Sequence, residues 1–286
     1  MMEKIKIAIQ KSGRLSEQSL QLLKEAGISL NNNDRKLIAI ASNFPLEILF
    51  LRDDDIPQYV ADKVADLGIV GENIIMEKAF SVDTVLKLGF GKCRLSLAIP
   101  RNEEYQSSEY FNGKKIATSY PGILSNFLNS KGLKSEIHEI SGSVEIAPGI
   151  GLADAIFDIV SSGSTLISNG LKEVEVVAVS EAVMISNHDM SEEKKLLLEK
   201  LLFRIRSVQT AKSNKYILLN APNHNLKEII QIIPGMKSPT VMPLAEPGWS
   251  SVHSVLKENE FWEIIDKLKE LGAQGILVIP IEKMIT

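Results

Sequence analysis

The sequence predicts an α/β protein in which two α/β lobes precede a separate C-terminal domain of β-α-β-β-α-β order. Three observations point there. Up to residue 187, short apolar strand-like runs alternate with amphipathic helical patterns, the arrangement that builds a mostly parallel sheet. Residues 216–286 change rhythm and run strand, helix, strand, strand, helix, strand, the order of the ferredoxin-like split unit. And 286 residues are more than one compact core usually fills, so two or three domains are expected.

In chain order, IKIAI (5–9) reads as a short buried strand that ends at QKSGRL. SEQSLQLLKEAG (16–27) places Leu20, Leu22, Leu23 and Ala26 on one helical face, with Gly27 as its stop. KLIAIA (36–41) and EILFLR (47–52) flank a turn at Asn43 to Pro45 and suggest a hairpin. In DDDIPQYVADKVAD (53–66), an aspartate at the cap and Pro57 in the first turn mark a helix start. LGIVG (67–71) and CRLSLAIP (93–100) are buried strands, and KKIATSYP (114–121) is a strand running into a helix. SEIHEISG (135–142) is a strand, VEIAPGIGLADA (144–155) a helix, and IFDIV (156–160), VEVVAVS (174–180) and AVMISN (182–187) are strands.

Ser191 starts a helix with Glu192 and Glu193 in its first turn and an apolar stripe of Leu197, Leu201, Ile205 and Val208. KSNK (212–215) reads as a linker. Then come KYILLNAP (215–222), the helix LKEIIQIIPG (226–235), TVMPLA (240–245), SSVHSVL (250–256), the helix NEFWEIIDKLKELGA (259–273) and ILVIP (276–280). A boundary near residue 95 and a return near 182 divide the chain into lobe I (1–95 with 182–212), lobe II (96–181) and the C-terminal domain (216–286). Ligands usually bind in the cleft between such lobes.

Charge and composition narrow the function classes. Lys and Arg number 32 against 36 Asp and Glu, a net charge of −4, which excludes a general nucleic-acid-binding surface but not small anionic ligands held by local amides and cations. The single cysteine, Cys93, has no intrachain partner, and no CxxC or Cys/His cluster suggests a zinc or iron–sulfur site. Cys93 reads as a buried small residue, and His138, His188, His224 and His253 as solvated or packing residues. MMEKIKIAIQKSGRL has no uninterrupted apolar core, and no segment approaches the roughly 18 apolar residues of a membrane span. The expected location is the cytoplasm, with no membrane partner.

Chemistry is expected where strands end and helices begin, because amides and the helix dipole converge there. QKSGRL offers Lys11, Ser12, Gly13 and Arg14; a polar surface turn is the competing reading. Glu72 and Asn73 of VGEN either bond a ligand or turn the chain. In TSYPG (118–122), Thr118 and Ser119 suit helix caps, while Tyr120 either stacks on a base or packs. Ser143 suits a cap ahead of Glu145. DIVSSGSTL (158–166) is the most informative stretch. Asp158 interrupts an apolar run, where an unpaired carboxylate is costly, and at a strand's C-terminal end it is placed to accept bonds from ribose hydroxyls. Ser161, Ser162, Gly163, Ser164 and Thr165 offer hydroxyls and amides to a terminal phosphate, with an ordinary polar turn as the alternative. Neither GxxxxGK[ST] nor GxGxxG is present, so phosphoryl transfer is not implied.

Together these stretches resemble ATP phosphoribosyltransferase, the first enzyme of histidine biosynthesis, in its long form. The likeness is carried in order by QKSGRL, RDDDIPQYV, DLGIVGEN, GFGKCRLSLA, KKIATSYP, GSVEIAPGIGLADAIFDIVSSGSTL with NGL, SPTVMPLA, FWE and LKELGAQGILVIPIEKM. The resemblance implies a two-lobed catalytic part like periplasmic binding proteins and a regulatory ferredoxin-like domain. It implies transfer of phosphoribosyl from phosphoribosyl pyrophosphate to N1 of ATP with Mg²⁺, feedback inhibition by histidine, and homo-oligomers from dimer to hexamer. The short form needs a synthetase-like partner; a chain with its own C-terminal domain does not imply one.

Carried over by motif, Asp158 and Ser161 to Thr165 bind the ribose hydroxyls and 5′-phosphate. Lys11, Gly13, Arg14, Glu72, Arg94, Tyr120 and Glu145 line the cleft for ATP and pyrophosphate, with Lys11, Arg14 and Asp158 as the catalytic groups. Ser238, Thr240, the strand around Val255 and Gly275 form the histidine pocket. No protein ligand of the metal is implied. Adenine N1 already carries a lone pair, so the expected chemistry needs no general base and rests on orientation and electrostatics. The rival readings are a two-lobed binding protein and a ferredoxin-like metabolite sensor without catalysis.

Overall fold

The computed structural model describes residues 3–30, 37–78 and 80–286. The chain divides into two compact units, Met1–Gln21 with Ile28–Leu198, and Leu22–Gly27 with Glu199–Thr286. The elements in order are β1 (Ile5–Gln10), α1 (Arg14–Glu25), β2 (Ile38–Ile40), β3 (Leu46–Leu51), α2 (Ile56–Ala61), β4 (Leu67–Gly71), α3 (Glu72–Lys78), β5 (Asp83–Lys87) and β6 (Cys93–Pro100). Then follow β7 (Lys115–Thr118), α4 (Pro121–Lys131), β8 (Glu136–Glu139), β9 (Ala155–Val160), α5 (Ser164–Ser168), β10 (Leu171–Ser180), β11 (Ala182–Ser186) and α6 (Glu192–Lys212). The C-terminal elements are β12 (Asn214–Pro222), α7 (Leu226–Ile232), β13 (Thr240–Pro243), β14 (Trp249–Lys257), α8 (Glu258–Glu270) and β15 (Gln274–Pro280).

The first unit holds two sheets, which form the two expected lobes. One has the order β2-β3-β1-β4-β11-β5, the other β10-β6-β9-β7-β8. The chain passes from the first sheet to the second before β6 and returns at Glu181, between β10 and β11. Apolar residues of β6 show why these runs are strands. Leu95, Leu97 and Ile99 enter the core with Phe111 and Phe157, whereas Ala98 faces the opposite core with Ile156 and Leu166. Both faces of the sheet are covered, which explains the near-continuous apolar runs.

Several expectations need correction. The sheets are mixed, not mostly parallel: β1 runs parallel to β3 and β4, and β7 to β8 and β9, but β11 is antiparallel to β4 and β5, and β6 to β9 and β10. A parallel neighbour needs a crossover connection, whereas β6 and β11 enter their sheets directly from the other lobe. The helix expected over 144–155 is only a 3₁₀ turn at Val144–Ile146. Pro148 and Gly151, whose φ is +74°, stop it, and the buried Val144, Ala147 and Ala153 cover the sheet from an irregular segment instead. The expected linker 212–215 is absent, because α6 runs to Lys212 and β12 starts at Asn214. Asp55 occupies the N-cap position of α2, but its side chain makes no capping bond; Asp53–Asp55 form a 3₁₀ turn ahead of it. The strand β5 was not expected; α3 and α5 are the helices that open at the VGEN and DIVSSGSTL stretches. The hairpin is present as the antiparallel pair β2 and β3; Lys36 of its predicted first strand lies outside the described residues.

In the second unit the sheet order β13-β14-β12-β15 and the element order are those of the split β-α-β-β-α-β unit. Ile217, Leu219 and Ala221 of β12 pack with Ile229, Ile233, Phe261 and Leu268 from the helical side. No helix among the described residues is long and apolar enough to cross a membrane.

Candidate active site in the inter-lobe cleft

A cavity of about 470 Å³ opens between the two lobes of the first unit, with Gln10, Arg14, Asn73, Cys93, Tyr120 and Ser161 among its walls. Its position follows from topology: β1, β4 and β9 all end there, and the chain crosses between lobes beside it. Gly13, with φ +92°, turns the chain out of β1 and lets Arg14 open α1. Lys11 and Arg14 are exposed.

Asp158 sits two residues before the end of β9, half-buried, with Oδ1 accepting the Ile159 amide at 2.7 Å. Burial pushes its carboxyl up from 3.8 to about 6; the Ile159 amide opposes this, and the nearby Glu145 carboxylate adds to it. Glu145 lies in the 3₁₀ turn that replaced the expected helix, reached through Ser143 in a left-handed conformation. Tyr120 stands close to the same charge: burial and Asp158 raise its phenol far above the ordinary range.

Beyond Val160 the chain forms the hydroxyl loop. Gly163, with φ +81°, is the N-cap of α5, and the Ser162 and Ser164 hydroxyls lie 2.9 Å apart across it. The loop is braced from outside. Arg94 gives Nε and Nη2 to the two Glu173 oxygens at 2.5 Å each, while Nη1 donates to the Ser161 carbonyl at 2.9 Å. The Ser96 hydroxyl also donates to Glu173, at 2.6 Å, and Arg94 holds the Glu173 carboxyl below its usual range. The guanidinium expected to line the cleft is therefore committed to the loop's backbone.

The other expected residues divide. Arg14, Tyr120 and Ser161 share the cavity wall. The Glu72 carboxylate is 3.1 Å from the Lys87 ammonium, and its amide donates to the Glu181 carbonyl where the chain recrosses between lobes. Ser238 and Thr240 lie at the β13 edge of the C-terminal sheet, Val255 on β14, and Gly275 on the opposite edge strand β15.

The TSYPG stretch works differently from its sequence reading. Thr118 Oγ1 accepts the Tyr120 amide, and the Ser119 hydroxyl donates to the Ile140 carbonyl, so neither caps α4. The cap comes from the other lobe: Glu77 of α3 accepts the amides of Gly122 and Ile123 at 2.6 and 2.9 Å. Asn73, also on α3, donates from Nδ2 to the Tyr120 hydroxyl at 3.2 Å and exchanges two bonds with Ser180 at the end of β10. Asn73 was singled out as a ligand or turn residue but not as a partner of Tyr120; Glu77, Glu173 and Ser180 were missed, because the groups they bond are distant in sequence. Gly71 and Gly122 were the available signal: a Cβ on either would fall 2.3 Å from Asn73 Oδ1 or 2.9 Å from Glu77.

Comparisons with known proteins agree with one another. The profile of the ATP phosphoribosyltransferase family matches residues 52–207, and that of the family's C-terminal domain matches residues 211–283. An ATP phosphoribosyltransferase of Phocaeicola vulgatus is 63% identical over 281 residues, 98% of this chain and 99% of that one. One from Cytophaga hutchinsonii is 61% identical over 281 residues, 98% of both. Among solved structures, the ATP phosphoribosyl transferase HisG:HisZ complex from Thermotoga maritima has a matching chain with a TM-score of 0.60 and 30% identity, covering 71% of this chain and 98% of that one. The chain belongs to the ATP phosphoribosyltransferase family, in the form that carries the C-terminal domain.

Proposed function

We propose that the protein joins the phosphoribosyl group of phosphoribosyl pyrophosphate to N1 of ATP in the cleft between its lobes and releases pyrophosphate, the first step of histidine biosynthesis. The observation that carries the reading is the contiguous run from Asp158 to Thr165. A half-buried carboxylate at a strand end leads directly into a hydroxyl loop turned by Gly163, beside the inter-lobe cavity.

The N1–C1′ bond forms as the C1′–oxygen bond to pyrophosphate breaks. The N1 lone pair is available at neutral pH, so no residue has to remove a proton. Asp158 accepts the ribose hydroxyls and orients C1′, and the Ser161–Thr165 hydroxyls and amides hold the 5′-phosphate. Tyr120 remains a neutral phenol, and because its oxygen accepts from Asn73, its own proton is available to the nucleotide. Lys11, Gly13 and Arg14 at the start of α1 face the phosphates of ATP or the departing pyrophosphate.

Among the described residues no group of three His, Cys, Asp or Glu could hold a metal ion. Asp158 with Glu145 offers at most a carboxylate pair, a donor set that fits Mg²⁺ arriving on the substrate's phosphates. Bound there, Mg²⁺ would neutralise charge on the leaving pyrophosphate. The C-terminal domain is read as the histidine-responsive part, through Ser238, Thr240, Val255 and Gly275 contributed by more than one copy in a dimer or hexamer, and the enzyme as cytoplasmic. Functionally the chain is read as lobe I (1–95 with 182–212), lobe II (96–181) and the regulatory domain (216–286).

The test is pyrophosphate release from ATP plus phosphoribosyl pyrophosphate, with and without L-histidine. Release by the wild type, suppressed by histidine and lost in a folded Asp158→Ala variant, supports the reading. Normal turnover in Asp158→Ala would sink the site assignment, and release indifferent to histidine would sink the regulatory one.

A further inference from the structure

Helix α4 begins beside the cleft with a defect its own sequence does not repair. Tyr120 is its N-cap residue and makes no side-chain cap, and Pro121 in the first turn has no N–H. The amides of Gly122 and Ile123 would be left without acceptors. Both are taken by one carboxylate, Glu77, which belongs to the other lobe. One helical turn earlier on α3, the buried Asn73 reaches the Tyr120 hydroxyl. Residues four apart share a helix face, so a single face of α3 grips both the helix that carries Tyr120 and the hydroxyl of Tyr120 itself. The fit is tight: a Cβ at Gly122 would lie 2.9 Å from the Glu77 carbonyl oxygen and from Oε1, and one at Gly71 2.3 Å from Asn73 Oδ1. Asn73 is in turn fixed by Ser180, whose hydroxyl accepts its amide and donates to its Oδ1, both at 3.0 Å, at the strand end where the chain recrosses to lobe I.

From this geometry we infer that Asn73 and Glu77 are positioning residues that set Tyr120 in the cleft from the opposite lobe. Neither is assigned a contact with substrate. Glu77 acts through the backbone of α4, and Asn73 through the phenol oxygen and the crossover strand. The bidentate grip on two amides defines where α4 begins, and the Asn73 bond defines where the ring ends. The consequence is a division of labour between the two substrates. Tyr120 faces the cavity, whereas the phosphoribosyl loop is braced separately by Arg94 and Glu173, so losing the α3 grip should disturb one substrate and spare the other. The inference rests on the proposed function for the placing of ATP beside Tyr120 and of phosphoribosyl pyrophosphate on the hydroxyl loop.

Steady-state kinetics on the full-length enzyme test it, with thermal melts run on the same samples. Glu77→Ala should raise KM for ATP about tenfold, a loss typical of a displaced contact, and leave KM for phosphoribosyl pyrophosphate within about twofold. Glu77→Gln, which keeps one acceptor oxygen, should recover part of that loss. Asn73→Ala should raise KM for ATP in the wild type but do so less in a Tyr120→Phe background, because the shared bond is already gone. If Glu77→Ala does not fold, Glu77→Gln and the Asn73–Tyr120 cycle decide. Folded Glu77 variants with unchanged KM for ATP, equal losses for both substrates, or additive Asn73 and Tyr120 effects would overturn the inference. Tyr120→Ala separates the two failures: if it leaves KM for ATP unchanged, the placing of ATP is wrong, whatever Glu77 does.

Discussion

Replacing Asp158 with Asn should make the protein more stable and far less active. In the folded chain the carboxyl is pushed up from 3.8 to about 6, with burial as the main cause and Glu145 as a lesser one. The folded-state value lies above the unfolded one, so the folded state binds the proton more tightly. Below about pH 4 the group is protonated in both states and costs nothing; between about 4 and 6 the cost of ionising it in place grows, and above 6 it is fully present. A shift of roughly two units, at about 1.4 kcal/mol each, puts that cost near 3 kcal/mol at neutral pH. Asparagine removes the charge, and its Oδ1 can still accept the Ile159 amide that Asp158 holds at 2.7 Å. Asp158→Asn should therefore gain up to about 3 kcal/mol at pH 7.5, roughly 6–12 °C in Tm for a unit of this size, and the gain should vanish near pH 4. Its kcat/KM for phosphoribosyl pyrophosphate should fall about 100-fold or more, because a neutral amide orients ribose hydroxyls poorly. Thermal melts at the two pH values and pyrophosphate release supply the numbers. A variant no more stable than the wild type at pH 7.5, or a gain that persists undiminished at pH 4, would show that the carboxylate is not strained by its surroundings.

The remaining predictions concern the same neighbourhood. The kcat/KM profile of the wild type should show an acid limb near pH 6, and Glu145→Gln should move that limb to lower pH, since the Glu145 charge helps hold Asp158 up; a limb that stays in place refutes the coupling. Arg94→Lys keeps the charge but loses the fork that joins Glu173 to the Ser161 carbonyl, so KM for phosphoribosyl pyrophosphate should rise about tenfold with little change in KM for ATP.

The fold was legible where pattern is local. The β6 run, CRLSLAIP, alternates between two buried cores, and the C-terminal β-α-β-β-α-β order appears as six clear apolar segments. Local pattern misled over 144–155, where an apolar run that reads as a helix is a 3₁₀ turn and an irregular segment whose Val144, Ala147 and Ala153 plug the lobe II sheet. Sheet direction was misread although the crossings near residues 95 and 182 were legible, because a strand's own pattern does not say whether it pairs parallel or antiparallel. Within the site, the stretch from Asp158 to Thr165 stood out because a charge in an apolar run and a cluster of hydroxyls around glycine need only adjacent residues. Arg94 was expected to line the cleft, and its bond to Glu173 could not be read because Glu173 is 79 positions away.

By itself the sequence determined most of the segments, the C-terminal module, the chemical character of the main loops and, through their order, the family. These depend on neighbours within a few residues or on a pattern that survives without coordinates. Tertiary structure alone decided which groups are available. It tied Arg94 to the loop's backbone, paired Glu72 with Lys87, raised the Asp158 carboxyl, and capped α4 with a carboxylate from the facing lobe. The reason is physical: hydrogen bonds, burial and charge coupling act through space over a few ångströms, and the partners that set them are separated by tens of residues along the chain.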